Sequence, residues 1–307
     1  MTIIIDAIIP LFSLILLGYL AGRSQAFNEA GAKGLSTFVF NFAIPALLVR
    51  SISNATLPNE IPWIFLFCYY FATLAVLFTC RYFCRRFFQL PAETATIMAM
   101  GGAYSNIVLI GIPLIISSLG DQALIPLFLI VSTHAAIMFF CTTVLLESGD
   151  APINQTLLQT IRELGRNPIF ISVFIGIGLN LLSWPIPKPI DTVLAPLANA
   201  ALPVAIFSLG VSLSVYQVKD ALSKAMIMVI FKNLIHPVLV FGLCLGFSLD
   251  PIWSATAVLL AGCPIGINVY VFAQKYQQGI IESASAMVIS TAVSFFSLSY
   301  LVVALVN

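Results

Sequence analysis

The chain has 307 residues, 60% of them hydrophobic and only 8% charged, with a formal net charge of +1 and a mean hydropathy of +1.06. Soluble domains carry about a quarter charged residues, so this composition cannot supply a water-compatible surface and excludes an ordinary soluble enzyme or binding module. No basic stripe offers a nucleic-acid surface either.

Windows of about 20 apolar residues recur from end to end. They fall at 3–22, 33–52, 61–84, 94–118, 123–146, 168–184, 190–215, 221–247, 252–275 and 280–305. The chain therefore reads as an all-α polytopic membrane protein with ten transmembrane helices. Ile3–Ala21 lacks a basic leading segment and has full spanning length, so it reads as a first span rather than a signal peptide. The six cysteines show no CxxC pair or metal-ligand spacing, which makes them small packing residues and leaves no metal site.

The longest joint, Glu147–Asn167, divides the chain into halves of five spans, 1–146 and 168–307. With the N-terminus outside, the inner joints receive Arg23, Lys33, Arg81, Arg85, Arg86, Arg162, Arg166, Lys219, Lys224 and Lys275, and the outer side only Arg50 and Lys188. This asymmetry predicts that both termini, in a plasma (bacterial inner) membrane, face away from the cytoplasm, with 147–167 as a cytoplasmic linker.

The halves resemble each other. Span 2 contains "NFAIPALLVRSIS" from Asn41 and span 7 "NAALPVAIFSLGVS" from Asn199, an offset of 158 residues. "QLPAETAT" before span 4 matches "LDPIWSAT" before span 9 at an offset of 160. Five spans is an odd number, so the second copy enters the membrane in the opposite sense. The expectation is an inverted-topology repeat, the architecture of many secondary transporters.

Spans 4 and 9 carry the candidate chemistry. Span 4 reads "GGAYSNIVLIGIPLI", with Ser105, Asn106, Gly111 and Pro113; span 9 reads "AGCPIGINVYVFAQKY", with Pro264, Gly266 and Asn268. Proline removes a backbone donor and glycine weakens a helix, so both spans are expected to break near the midplane. The break in span 4 lies between Ser105 and Pro113. In lipid such breaks persist only where they face protein or a wet cavity. Two half-helix N-termini brought together there would bind a carboxylate or another small anion, and Asn106 and Asn268 would add directional hydrogen bonds.

Among intramembrane ionisable groups, Lys232 in span 8 stands out. It would attract an anion, pair with a carboxylate, or stand as a fixed cation in place of a transported sodium ion; the alternative is a side chain snorkelling to the interface. His236, one turn on, is either a proton relay or a packed histidine, and His134 in span 5 carries less weight still. Asp6 and Glu93 lie near span ends. No paired intramembrane acids make proton or sodium coupling evident, and no cofactor is implied.

At these residues the chain resembles the auxin efflux carrier family, which includes plant PIN-type carriers and bacterial malonate-type permeases. "NIVLIGIPLI" (Asn106–Ile115), "CPIGINVYVFAQKY" (Cys263–Tyr276), "IFSLGVSL" (Ile206–Leu213) and "NFAIPALL" (Asn41–Leu48) are similar to its segments in spans 4, 9, 7 and 2. The resemblance implies two inverted five-helix repeats on the plan of sodium/proton antiporters and bile-acid symporters. Spans 1, 2, 6 and 7 would form a scaffold, and spans 3–5 and 8–10 a transport domain with crossing helices 4 and 9. It further implies a homodimer formed through the scaffold, elevator-like movement, and substrate-site candidates Asn106 and Asn268, with Pro113, Pro264 and Gly266 shaping the breaks. The short middle joint fits the bacterial branch. Ser105 stands where plant carriers often place a proline, and span 3 lacks a central acid, so plant-type proton coupling does not carry over.

The expected function is a permease for a small organic anion, by alternating access around the crossover. The alternatives are a sodium-coupled organic-anion symporter and, from another class, a channel or receptor. An intramembrane enzyme is not expected: His134 and His236 form no HExxH, and no intramembrane Gly-x-Gly-Asp occurs.

Overall fold

The computed structural model describes residues 8–55, 63–146, 162, 165–215 and 222–306. Asp6, Lys219 and most of the 147–167 joint lie outside them. The described residues are helical throughout, apart from short joints and two breaks. Among the described residues, six helices are long and apolar enough to cross a membrane: α2 (Ala30–Ser53), α3 (Trp63–Phe87), α5 (Asp121–Leu146), α7 (Lys188–Val215), α8 (Leu222–Gly246) and α10 (Ile280–Val306). Two shorter apolar helices, α1 (Ile9–Arg23) and α6 (Pro168–Leu181), accompany them. Two further segments come as broken pairs, α4a (Ala92–Ala103) with α4b (Ile107–Leu119), and α9a (Pro251–Gly262) with α9b (Asn268–Tyr276).

Proline is accommodated by a repeated device. Pro45, Pro113 and Pro237 each follow a π-turn, at Val39–Ala43, Ile107–Gly111 and Phe231–Ile235. A proline ring collides with the carbonyl four residues back and offers no N–H to it. Widening the preceding turn moves that carbonyl aside and keeps the ladder closed: Ile44, Ile112 and His236 each donate five residues back, to Val39, Ile107 and Phe231. In α7, Pro196 and Pro203 sit inside a continuous helix.

Helices α1, α2, α6 and α7 pack on one another, with α1 lying along α7 and the second half of α2 against α6. The α1–α7 contact is backbone on backbone. A Cβ on Gly18 would stand 2.1 Å from the Phe207 carbonyl oxygen, and one on Gly210 2.0 Å from that of Ile15. Between lipid-bathed helices there is little hydrophobic drive to associate, so this small-residue seam supplies the van der Waals contact that holds the pair. The other helices pack as a second set, α3 against α4a and α8, and α8 against α9a and α10. Their shared interior is dense with side chains such as Tyr69, Ile97, Met98, Leu259 and Leu260, all fully buried.

A candidate substrate site between two broken helices

Both breaks are short and extended. Helix α4a ends at Ala103, Tyr104 turns to φ −83°, ψ 114°, and Asn106 caps α4b, its Oδ1 accepting from Leu109 N at 3.4 Å. Helix α9a ends at Gly262, and Cys263 leads at ψ 148° into Pro264, Ile265 and Gly266 before α9b begins at Asn268. The expected interruption of span 4 thus sits at Tyr104–Asn106. Pro113 falls in the first turn after a π-turn that ends at Gly111, downstream of the break.

The two breaks pair with each other. Ser105 and Ile265 form an antiparallel bridge in which Asn106 N donates to Pro264 O at 2.8 Å and Gly266 N to Tyr104 O at 3.1 Å. The remaining amides of the bridge turn outward to side chains on α5 and α10. Ser105 N donates to His134 Nε2 at 3.2 Å, and Ile265 N to Ser290 Oγ at 3.0 Å. Non-helical backbone inside an apolar interior is costly unless its donors are met. Here each break meets half of the other's requirement, and one flanking helix on each side meets the rest.

The pattern is two-fold. The axis passes through the bridged pair Ser105 and Ile265, 160 residues apart, with Asn106 facing Pro264 on one side and Tyr104 facing Gly266 on the other. The two-fold counterpart of Asn106 is therefore Gly266, while its partner across the bridge is Pro264 and Asn268 lies two residues beyond Gly266. Asn268 Nδ2 donates to the Tyr104 hydroxyl at 2.8 Å. Gly266 has no room for a side chain: a Cβ there would come within 2.5 Å of the Tyr104 ring and 3.2 Å of Ser105 O.

A cavity of about 500 Å³ opens against the crossover, walled by Phe40, Tyr104, Val108, Phe139, Phe170, Ile267 and Asn268. A second, smaller pocket of about 40 Å³ shares Phe40, Tyr104, Val108, Ile267 and Asn268 with it and is lined further by Ser105, Asn106, His134 and Gly266. The larger cavity reaches Asn167 and Pro168 at the start of α6, on the side of the 147–167 joint. Size and lining suit a small molecule: mostly apolar and aromatic walls with a few uncharged polar groups at one end.

Lys232 and His236 do not line this cavity. Both are fully buried behind the α9 break. The Lys232 amino group donates to the Ala261 carbonyl near the C-terminal end of α9a and lies 3.3 Å from His236 Nδ1. His236 Nε2 meets Thr73 Oγ1 at 3.0 Å, and that hydroxyl donates to Tyr69 O at 2.7 Å. The chain of donors thus runs from Lys232 through His236 and Thr73 to a backbone carbonyl on α3. Among the described residues the ion pairs are elsewhere, Arg50 with Asp191 at 2.6 Å and Lys224 with Glu282 at 3.2 Å.

Three residues that matter here stood out little or not at all in the sequence: His134, Tyr104 and Ser290. His134 and Ser290 play equivalent roles with unlike chemistry, so similarity between the halves could not reveal them. Their separation of 156 residues, close to the repeat offset, was the available signal.

A family model described as membrane transport protein matches residues 3–302. The chain is 31% identical over 294 residues to a Rhizobium meliloti (strain 1021) protein named "Putative malonate transporter", covering 94% of this chain and 91% of that one. It is 27% identical over 322 residues to the mouse "Lysosomal cholesterol signaling protein", covering 95% of this chain and 36% of that one. With "Auxin efflux carrier component 6" of Arabidopsis thaliana it shares 29% over 138 residues, 42% of this chain and 24% of that protein. Matched along nearly its whole length, and built of apolar helices around a paired break, the chain belongs to the membrane transport protein family.

Proposed function

We propose that this protein is a secondary carrier of small organic anions, carboxylates above all, in the cell membrane. The observation that carries the reading is the paired break. The first residues of α4b (Ile107, Val108) and α9b (Asn268) line the same small pocket, so two half-helix N-termini, with their partial positive charge, converge on one occupant. Asn106, Asn268, Ser105 and the Tyr104 hydroxyl add neutral hydrogen-bonding groups, which hold an anion without a fixed cation that must be resolvated in each cycle. The named malonate transporter among the relatives agrees with this class.

The elevator reading draws support from packing. Helices α1, α2, α6 and α7 form one set and α3–α5 with α8–α10 another, and the breaks belong to the second set. In this reading the first set is the scaffold and dimer surface, and the second carries the anion across. The 160-residue register of the bridge supports two inverted five-helix repeats. The cavity reaches the start of α6, beside the joint expected on the cytoplasmic side from the charge asymmetry, which supports reading this as an inward-facing state. Coupling to protons or sodium follows from none of these features.

The test is a thermal-shift screen of purified protein against acetate, benzoate, malonate and succinate, followed by counterflow in proteoliposomes. At least one carboxylate is expected to stabilise the protein and exchange saturably. Asn268→Ala and Asn106→Ala are each expected to weaken its apparent affinity by about 10- to 100-fold, the loss of one or more hydrogen bonds to a charged group. Wild-type affinity in both variants would rule out the crossover as the site. Flux that requires a sodium gradient would identify a sodium-coupled symporter instead, and non-saturable flux a channel.

A further inference from the structure

We propose that His134 is a direct donor to the bound anion, its neutral imidazole held as the Nδ1–H tautomer by the backbone amide of Ser105; this rests on the anion-carrier reading above. Ser105 N–H points at Nε2 from 3.2 Å. A ring nitrogen accepts a hydrogen bond only when it carries no proton, so the single proton of the neutral ring belongs on Nδ1. A doubly protonated ring would set a second donor against Ser105 N–H and open the crossover.

The Nδ1 edge has no protein partner. His134 is 2% exposed, and its Nδ1 is buried without a hydrogen bond among the described residues. The ring cannot turn to find one. Tyr104 stacks on it at 4.9 Å and 29°, and Tyr69 meets it edge-on at 5.7 Å and 66°. Buried donors in native proteins are almost always paired, so an orphan fixed in place beside a cavity points to a ligand. The ring lines the small pocket at the crossover, together with Ser105, Asn106 and Asn268.

The other half of the molecule supplies the control. Ser290 holds Ile265 N as His134 holds Ser105 N, and its own hydroxyl donates to Asn233 Oδ1 at 2.6 Å. That side of the crossover is therefore closed by protein alone. On the α5 side the equivalent position ends in an unused N–H. The asymmetry assigns the two flanks different work: α10 holds the bridge, while α5 holds the bridge and presents a donor to the substrate.

The experiment uses full-length protein in nanodiscs, labelled with 15N-histidine, and the same four carboxylates. The chain has two histidines, so a variant carrying Nδ1-methylhistidine at position 134 assigns the signals. The expected spectrum shows His134 neutral with its proton on Nδ1, and that nitrogen shifts when a carboxylate binds. A proton on Nε2 would overturn the proposal. The methylated side chain keeps the Nε2 acceptor and loses the donor, so melting without ligand should stay near wild type while the dissociation constant rises about tenfold or more. His134→Gln, which offers an acceptor and a donor, should recover most of the affinity, and His134→Met should not. Unchanged affinity in the methylated and Met variants would remove His134 from the site and leave the carrier reading standing. Failure of the wild type to bind any of the four would overturn both.

Discussion

Replacing Gly266 with valine is expected to bring carboxylate counterflow down to background, at least about 100-fold, in protein that still inserts in the membrane. The reason is local and steric. Even a single Cβ would stand 2.5 Å from two atoms of the Tyr104 ring, closer than side chains tolerate. The ring has no free direction of retreat, since it is stacked between His134 at 4.9 Å and Phe139 at 5.7 Å. Moving it also breaks the 2.8 Å bond from Asn268 to its hydroxyl. Moving Gly266 instead pulls its amide off Tyr104 O and opens half of the bridge. Overpacking of this kind costs about 1–3 kcal/mol, and here it falls on the groups that shape the cavity. Gly266→Ala should be intermediate. Adding Tyr104→Ala to Gly266→Ala should relieve the clash and restore the melting temperature, though not the anion affinity, because the Tyr104 hydroxyl is lost. Wild-type flux in Gly266→Val would mean that the bridge rearranges freely and does not define the site.

Much of this arrangement could be read from residues alone, because lipid narrows the choices. A chain with 8% charged residues and recurring apolar windows of about 20 residues reads as helical through the membrane, and its few cations mark the joints. The breaks were legible for the same reason: glycine, proline and asparagine clustered mid-span are expensive unless a cavity or protein receives the freed backbone. Their register was carried by the flanks and not by the motifs themselves: the 160-residue offset of "QLPAETAT" and "LDPIWSAT" takes Ser105 onto Ile265, the bridged pair. Matching the two motifs by side chain aligns Asn106 with Asn268 instead, whereas the backbone pairs Asn106 with Pro264. Pro113 misleads for a related reason, since a π-turn absorbs it at no loss of helix continuity.

The position of Lys232 was a tertiary question. A third of the way into a span, a lysine has stem enough to snorkel toward water or to turn inward. What decides is the open end of α9a, whose Ala261 carbonyl lacks a helical partner because the helix stops one residue later. That end lies against α8 only through the packing of α8 on α9a. Neither fact is local in sequence.

Lys232→Met is the second substitution with a large expected effect, and its direction separates two roles. The thioether fills most of the volume but donates nothing. Ala261 O then loses its donor and His236 Nδ1 its neighbour, in a place with no water to replace them. Each orphaned group costs about 1–3 kcal/mol, so the variant should lose about 2–5 kcal/mol of stability, enough to remove most folded protein from a marginally stable chain. Because Lys232 does not touch the cavity, the fraction that survives should bind a carboxylate with a dissociation constant within about threefold of wild type, a shift below 1 kcal/mol. Fluorescence-detected size exclusion measures the first effect and ligand-dependent melting the second. The opposite pattern, normal melting with affinity lost more than tenfold, would place the amino group in contact with the anion during transport. In that case the buried lysine must leave Ala261 in another state of the carrier, and the α9 break would move with it.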